Sequence, residues 1–274
     1  MQSTQNEQPR KDNVPQEQFQ PAGALLPFYA TLGIVSLIIV IKFYAYFASG
    51  SSAMLASLID SLTDAGLSLM AFLSIRLSLK PADEDHRFGH GKAEGFSALV
   101  QSSFLFGAAF FLVLQTGHSF LNPVEISHHW LAITISGISI VLTILLVAIQ
   151  KKAYARAPSL ALKADAQHYS SDILLNCAVI AALLTDLWGG LAAIDAIAGI
   201  GIALYIAWIG YGIAQEAVDM LMDREISQDD RRLIIKTVLS HAEVYDMHDL
   251  RTRKSGMHLN ISFDVELDPD QTLA

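Results

Sequence analysis

Six long apolar stretches decide what this chain can fold into. They cover residues 25–49, 51–79, 94–121, 130–150, 159–184 and 191–221, and each reaches the ~20 residues that a helix needs to cross a bilayer. In hydrocarbon, backbone N–H and C=O groups must find partners within the segment, so such stretches predict helices. The 52% hydrophobic and 16% charged content agrees with a polytopic membrane protein carrying a modest polar part. Orientation follows from the connections. Lys80, Arg87 and Lys92 follow segment two, Lys151, Lys152, Arg156 and Lys163 follow segment four, and Arg224, Arg231 and Arg232 follow segment six. The other three links carry no Lys or Arg. Both termini are therefore expected in the cytoplasm, with six crossings.

The three parts predicted are residues 1–24 as a disordered tail rich in Gln, Asn and Pro, 25–222 as the transmembrane domain and 223–274 as a small α+β unit. A net charge of −9 argues against nucleic acid as a partner. The single cysteine, Cys177, lies in an apolar run and reads as a buried structural thiol.

Charge inside the spans is sparse and patterned. Asp60 and Asp64 stand four apart in segment two, one turn above each other on one helix face. Two carboxylates in hydrocarbon persist only with a proton, a basic group or a metal ion as partner. His168 and Asp172 form a second such pair in segment five, while Asp165 reads as solvated near the cytoplasmic end. Lys42 in segment one suits either an inward-facing partner for an aspartate or a side chain snorkelling to a headgroup.

Depth allows the pairs to meet. From the outer face, Asp60 and Asp64 lie roughly 14–20 Å deep and His168 and Asp172 roughly 18–24 Å, at ~1.5 Å per residue. The pairs are 108 positions apart (60 to 168, 64 to 172), each on the middle helix of a three-span half. Halves with an odd number of spans run in opposite senses, an arrangement common in secondary transporters. Three carboxylates and one imidazole suit tetrahedral Zn²⁺, with Cd²⁺ or Fe²⁺ as neighbours in preference. A metal-free proton relay, or a polar network specifying helix packing, are the other readings of the same four residues.

The link Pro81-Ala82-Asp83-Glu84-Asp85-His86-Arg87-Phe88-Gly89-His90-Gly91-Lys92 carries the most specific text. Its His-x-x-Gly-His-Gly-Lys run, with the Asp-x3-Asp and His-x3-Asp pairs on spans two and five, resembles the cation diffusion facilitator family. The resemblance covers residues 25 to about 267 and is nearest to the bacterial zinc and ferrous-iron exporters. It implies a homodimer exchanging a divalent cation for protons by alternating access, and not an enzyme. It matches Asp60, Asp64, His168 and Asp172 to the transport site. Asp83, His86 and His90 match a second metal site in the loop, where Gly89 lets the chain turn. Lys92 and Asp223 match an ion-pair interlock at the dimer interface.

Beyond Asp223 the text changes. Ser227-Gln228-Asp229-Asp230 reads as a helix start, and Ile234, Ile235, Val238 and Leu239 give that helix an apolar face. Residues 247–252 and 258–267 alternate as strands. In the family this opens a metallochaperone-like cytoplasmic domain that continues with another helix and strand, neither of which precedes Ala274 here. A helix and two strands have too little core to be more than marginal. His248 matches one family ligand and Asp264 stands where many relatives have histidine, so that site is expected to be incomplete. His241, His258 and the outer-loop His118, His128 and His129 read as surface residues.

The fold class expected is thus an all-α bundle of six transmembrane helices followed by a truncated α+β cytoplasmic domain. The function implied is proton-coupled Zn²⁺ export across the cytoplasmic membrane. Zn²⁺ is both substrate and structural ion, protons are the counter-substrate, and lipid surrounds the bundle. Alternatives are an exporter chiefly of Fe²⁺, Cd²⁺ or Mn²⁺, a passive divalent-cation channel, or a sensor that only binds. A zinc protease of the His-Glu-x-x-His kind has no matching run.

Overall fold

The computed structural model describes residues 21–49, 52–121, 129–187 and 192–268. The apolar stretches are helices: α1 (Pro21–Ser49), α2 (Ser52–Ser78), α3 (Lys92–Leu121), α4 (His129–Tyr154), α5 (Leu160–Leu187) and α6 (Ala192–Leu221). Five of them (α1, α2, α3, α4 and α6) are long and apolar enough to cross a membrane. The sixth, α5, has the length at 28 residues. Lys163, Asp165, His168 and Asp172 dilute its apolar character, and of these Asp165 and His168 are buried against other helices. Helix α1 starts at Pro21, so residues 21–24 belong to it and not to the expected tail. Proline suits a first turn because the N–H it lacks has no intrahelical partner there. The remainder of that tail, residues 1–20, lies outside the described residues.

Counterpart helices of the two halves meet: α1 with α4, α2 with α5 and α3 with α6. The α3–α6 pair is the tightest. A Cβ on Gly199 would come 2.5 Å from Thr116 Oγ1, and one on Gly210 3.2 Å from Leu105 Cβ. The other four helices form a group in which α1 also packs on α2 and α4 on α5. Its interior holds two apolar layers, one of Phe28, Phe72, Ile75 and Leu162, the other of Val35, Leu146, Val147 and Tyr169. Large apolar side chains such as Phe110, Val141 and Trp208 face outward, as lipid requires. Cys177 is exposed, not buried. An apolar run in a membrane helix faces lipid as readily as core, so hydropathy alone cannot assign its side.

Glu94 ties three helix ends together while fully buried. Its carboxylate accepts from Ser78 Oγ on α2 at 2.8 Å, from Ser159 Oγ at 2.6 Å and from the Leu160 N–H that opens α5 at 3.0 Å.

After α6 the chain turns at Asp223, whose φ is 57°. Helix α7 (Gln228–Leu239) begins where expected, with Ser227 Oγ accepting from Asp230 N at 3.2 Å. Strands β1 (Val244–Ser255) and β2 (His258–Leu267) pair antiparallel, so β1 is longer at both ends than the alternation suggested. The tight turn between them uses Gly256 at φ 60°. No residue of α7 is buried, and Leu259, Ile261, Phe263, Val265 and Leu267 of β2 stay exposed. Among the described residues of this unit the core is scant, as expected.

The hairpin nonetheless has a firm seat. A Cβ on Gly91 would lie 2.3 Å from the Ser255 carbonyl oxygen, so only glycine allows this approach. Beside it the Arg253 guanidinium sits 3.5 Å from the centroid of the Phe88 ring, within cation–π range.

Candidate metal centres

The i, i+4 pairs on α2 and α5 do meet. His168 Nε2 lies 3.0 Å from Asp64 Oδ1 and 3.8 Å from Asp172 Oδ2. One donor atom from each of Asp64, His168 and Asp172 falls within 4.8 Å of the others. His168 Nδ1 and Asp172 Oδ2 are buried without a hydrogen-bond partner among the described residues. Buried polar atoms are rarely left so, and Asp172 Oδ2, which lies on the Nε2 side of the ring, is an oxygen of the kind a divalent ion takes up. Asp60 is not in this triad. It is exposed and lines the same cavity of about 120 Å³ one turn away, together with Lys42, Ser139 and Asn176.

Beneath the triad, toward the start of α5, the structure corrects the reading of Asp165. It is fully buried rather than solvated. Its carboxylate accepts from Ser68 Oγ at 2.9 Å and from Gln150 Nε2 at 2.6 Å. Gln150 also donates to Thr31 Oγ1 at 3.2 Å, and Ser68 shares a 2.7 Å hydrogen bond with the Tyr169 hydroxyl. This chain of contacts links α1, α2, α4 and α5. One signal for it was present: Asp165 precedes His168 by three residues and so shares its helix face. Lys42 is likewise settled as inward-facing, with Nζ donating to Ser61 Oγ at 2.6 Å and to the Ser57 carbonyl at 3.2 Å.

The loop triad forms as well. Asp83 Oδ1 accepts from the His86 backbone N–H at 2.6 Å and lies 3.2 Å from His86 Nδ1. Asp83 Oδ2 is 3.3 Å from His90 Nε2, and the two imidazole rings are 4.4 Å apart. Gly89, at φ 76°, makes the turn that brings His90 back. The His86 backbone N–H holds the Asp83 carboxyl below its ordinary value, which keeps it in the ionised form a metal needs. His90 Nδ1 is buried and unpartnered. The three donor atoms lie within 4.8 Å of each other and so suit a divalent ion.

Lys92 Nζ reaches Asp223 Oδ2 at 2.9 Å and the Leu221 carbonyl at 3.1 Å. Arg253 approaches the same carboxylate at 3.7 Å. In the hairpin, His248 and Asp264 stand directly opposite in register. The imidazole nevertheless meets Glu266 Oε1 at 3.0 Å and Asp246 Oδ2 at 3.5 Å. Among the described residues the two triads are the groups of three or more such side chains close enough to share a metal. His118, His241 and His258 are exposed, as expected, while His128 lies outside the described residues.

A helical membrane bundle with acids and an imidazole gathered between two spans, joined to a small α+β unit, is the architecture of a cation transporter. The chain belongs to the cation efflux family: residues 28–222 match its "Cation efflux transmembrane domain" and residues 226–274 its "Cation efflux protein, cytoplasmic domain". It is thus an integral membrane transporter for cations, not an enzyme. It is similar to the cation-efflux pump FieF of Shewanella oneidensis, 40% identical over 244 residues, which are 89% of this chain and 82% of the relative. The FieF pump of Escherichia fergusonii is 40% identical over 239 residues (87% and 79%). That of Escherichia coli K12 is 38% identical over 239 residues, with the same coverage.

Proposed function

We propose that this chain exports Zn²⁺ from the cytoplasm in exchange for protons, by alternating access, as a homodimer in the cytoplasmic membrane with both termini inside. The observation that carries this reading is the convergence of Asp64 and Asp172 on His168 Nε2, from two helices of opposite halves. Its donor set of imidazole and carboxylate favours zinc, with Cd²⁺, Fe²⁺ and Mn²⁺ as the alternatives. Asp60, one turn away on α2 and lining the same cavity, is the fourth ligand of this reading.

Metal enters past the acidic, histidine-bearing loop around Asp83–His90, which raises its local concentration. It binds the triad by displacing protons, since coordination needs deprotonated ligands. Protons then compete for the same groups on the outer side and return with the emptied site. The cavity lies on the side of His168 toward Asn176, while the Asp165 contacts and the Phe28–Phe72–Ile75 layer close the other side. With the Lys- and Arg-rich links inside, the closed side is cytoplasmic, which supports gated transport over a passive channel. The loop triad holds a structural Zn²⁺, and His248 of the hairpin pairs with Glu266 and Asp246. The exposed apolar face of β2 and the Lys92–Asp223 pair near the membrane surface support pairing with a second copy.

The test is Zn²⁺ uptake into inverted vesicles under a proton gradient, set beside Cd²⁺, Fe²⁺ and Mn²⁺. Asp64→Ala and Asp172→Asn are expected to abolish uptake. Normal uptake by both would overturn the site, and uptake indifferent to the gradient would overturn the coupling.

A further inference from the structure

We propose that Lys42 is a resident cation of the transport cavity, setting its formal charge so that one divalent ion balances it. The inference rests on the transport site proposed above and assigns a specificity-determining residue that touches no metal. Lys42 sits well inside α1 and is only 8% exposed. Its ammonium is held inward by Ser61 Oγ at 2.6 Å and the Ser57 carbonyl at 3.2 Å, both on the helix that carries Asp60 and Asp64. It lines the same cavity as Asp60, Asp64, His168 and Asp172. Among the described residues no carboxylate forms a direct ion pair with it, so its charge belongs to the cavity as a whole and not to one acid.

The consequence is arithmetic. Three carboxylates and one ammonium carry a formal charge of −2, which one divalent ion cancels; without Lys42 the charge is −3. Uncompensated charge within a membrane is expensive, so the wild-type cavity is matched to a charge of +2. The ammonium also repels the bound ion, which keeps binding loose enough for release. A neutral residue here removes that repulsion, and the cavity then holds divalent ions harder and accepts a trivalent ion.

The experiment is calorimetric titration of the purified full chain with Zn²⁺ and, separately, La³⁺. Both use a His86→Ala/His90→Ala background that leaves the cavity as the site measured. Lys42→Met is expected to tighten Zn²⁺ binding about tenfold or more and La³⁺ binding by a larger factor. Lys42→Arg is expected to stay within about threefold of the parent, because it keeps the charge. In proteoliposomes the same Lys42→Met change lowers KM for Zn²⁺ and lowers kcat with it. If Lys42→Met does not fold, Lys42→Gln removes the same charge and carries the same expectation. Folded neutral variants with unchanged Zn²⁺ and La³⁺ affinities overturn the inference. Binding is read independently of flux, so a chain that binds Zn²⁺ as described and moves none defeats the transport reading alone.

Discussion

Glu94 offers the sharpest test of how this bundle is held together, because two substitutions there should differ widely. Its Oε2 accepts from Ser159 Oγ at 2.6 Å and from Leu160 N at 3.0 Å, and its Oε1 from Ser78 Oγ at 2.8 Å. In Glu94→Gln the amide oxygen takes the Oε2 position and keeps both of its donors. The amide NH₂ then faces Ser78, whose hydroxyl retains the Ile75 carbonyl, 3.0 Å away, as its own acceptor. All three contacts keep a partner, and the cost is the lost charge assistance, about 1 kcal/mol, with the second amide N–H the one group left without an acceptor. In Glu94→Ala, Ser78 still has Ile75, but the Ser159 O–H proton and the Leu160 N–H lose their acceptor, the Ser159 oxygen keeping only the Leu162 N–H at 3.3 Å. At ~1–3 kcal/mol for each stranded buried group, the loss is about 2–6 kcal/mol. Unfolding of both variants in detergent micelles by graded denaturant measures the difference. Equal losses would show that the negative charge itself, and not the bond count, holds α2, α3 and α5. A loss under about 1 kcal/mol for Glu94→Ala would mean that water satisfies the vacated pocket.

Other outcomes follow from the same geometry. Asp60 lies outside the triad, so Asp60→Ala should retain Zn²⁺ uptake with a raised KM, where Asp64→Ala abolishes it; identical kinetics would contradict the different placements. Gly91→Ala drives a methyl group into the Ser255 carbonyl at 2.3 Å and should loosen the hairpin by ~1–3 kcal/mol, read as faster protease cleavage around Ser255 with the helices intact. For Asp83, the folded carboxyl lies below its ordinary 3.8 because the His86 N–H favours the charged form. Its contribution to loop order is therefore full above 3.8 and is lost as pH falls through the lower folded value. The His86 amide shift by NMR should titrate below 3.8, and Asp83→Asn should remove that titration.

Much of this protein was legible before any coordinates. Hydropathy is a local sum, so the spans could be bounded to within four residues from their own text, the largest differences being at Pro21 and Tyr154. Asp83, His86 and His90 fall within eight positions, and one glycine turn suffices to bring them together. The i, i+4 spacing on α2 and α5, with matching depth, was enough to bring two faces level. Ser227 announced α7 because a cap is an interaction among near neighbours.

The tertiary structure alone decided how each helix is rotated toward its neighbours. That choice buried Asp165 and Glu94, turned Lys42 inward, turned Cys177 out and put Asp64 rather than Asp60 against His168. Residues four apart on a helix differ by only about 40° of rotation, so spacing assigns both aspartates to one face without saying which one touches. In water the polar side of a helix marks its exterior. In a bilayer the exterior is as apolar as the core, and the rotation is fixed only by packing against helices far along the chain.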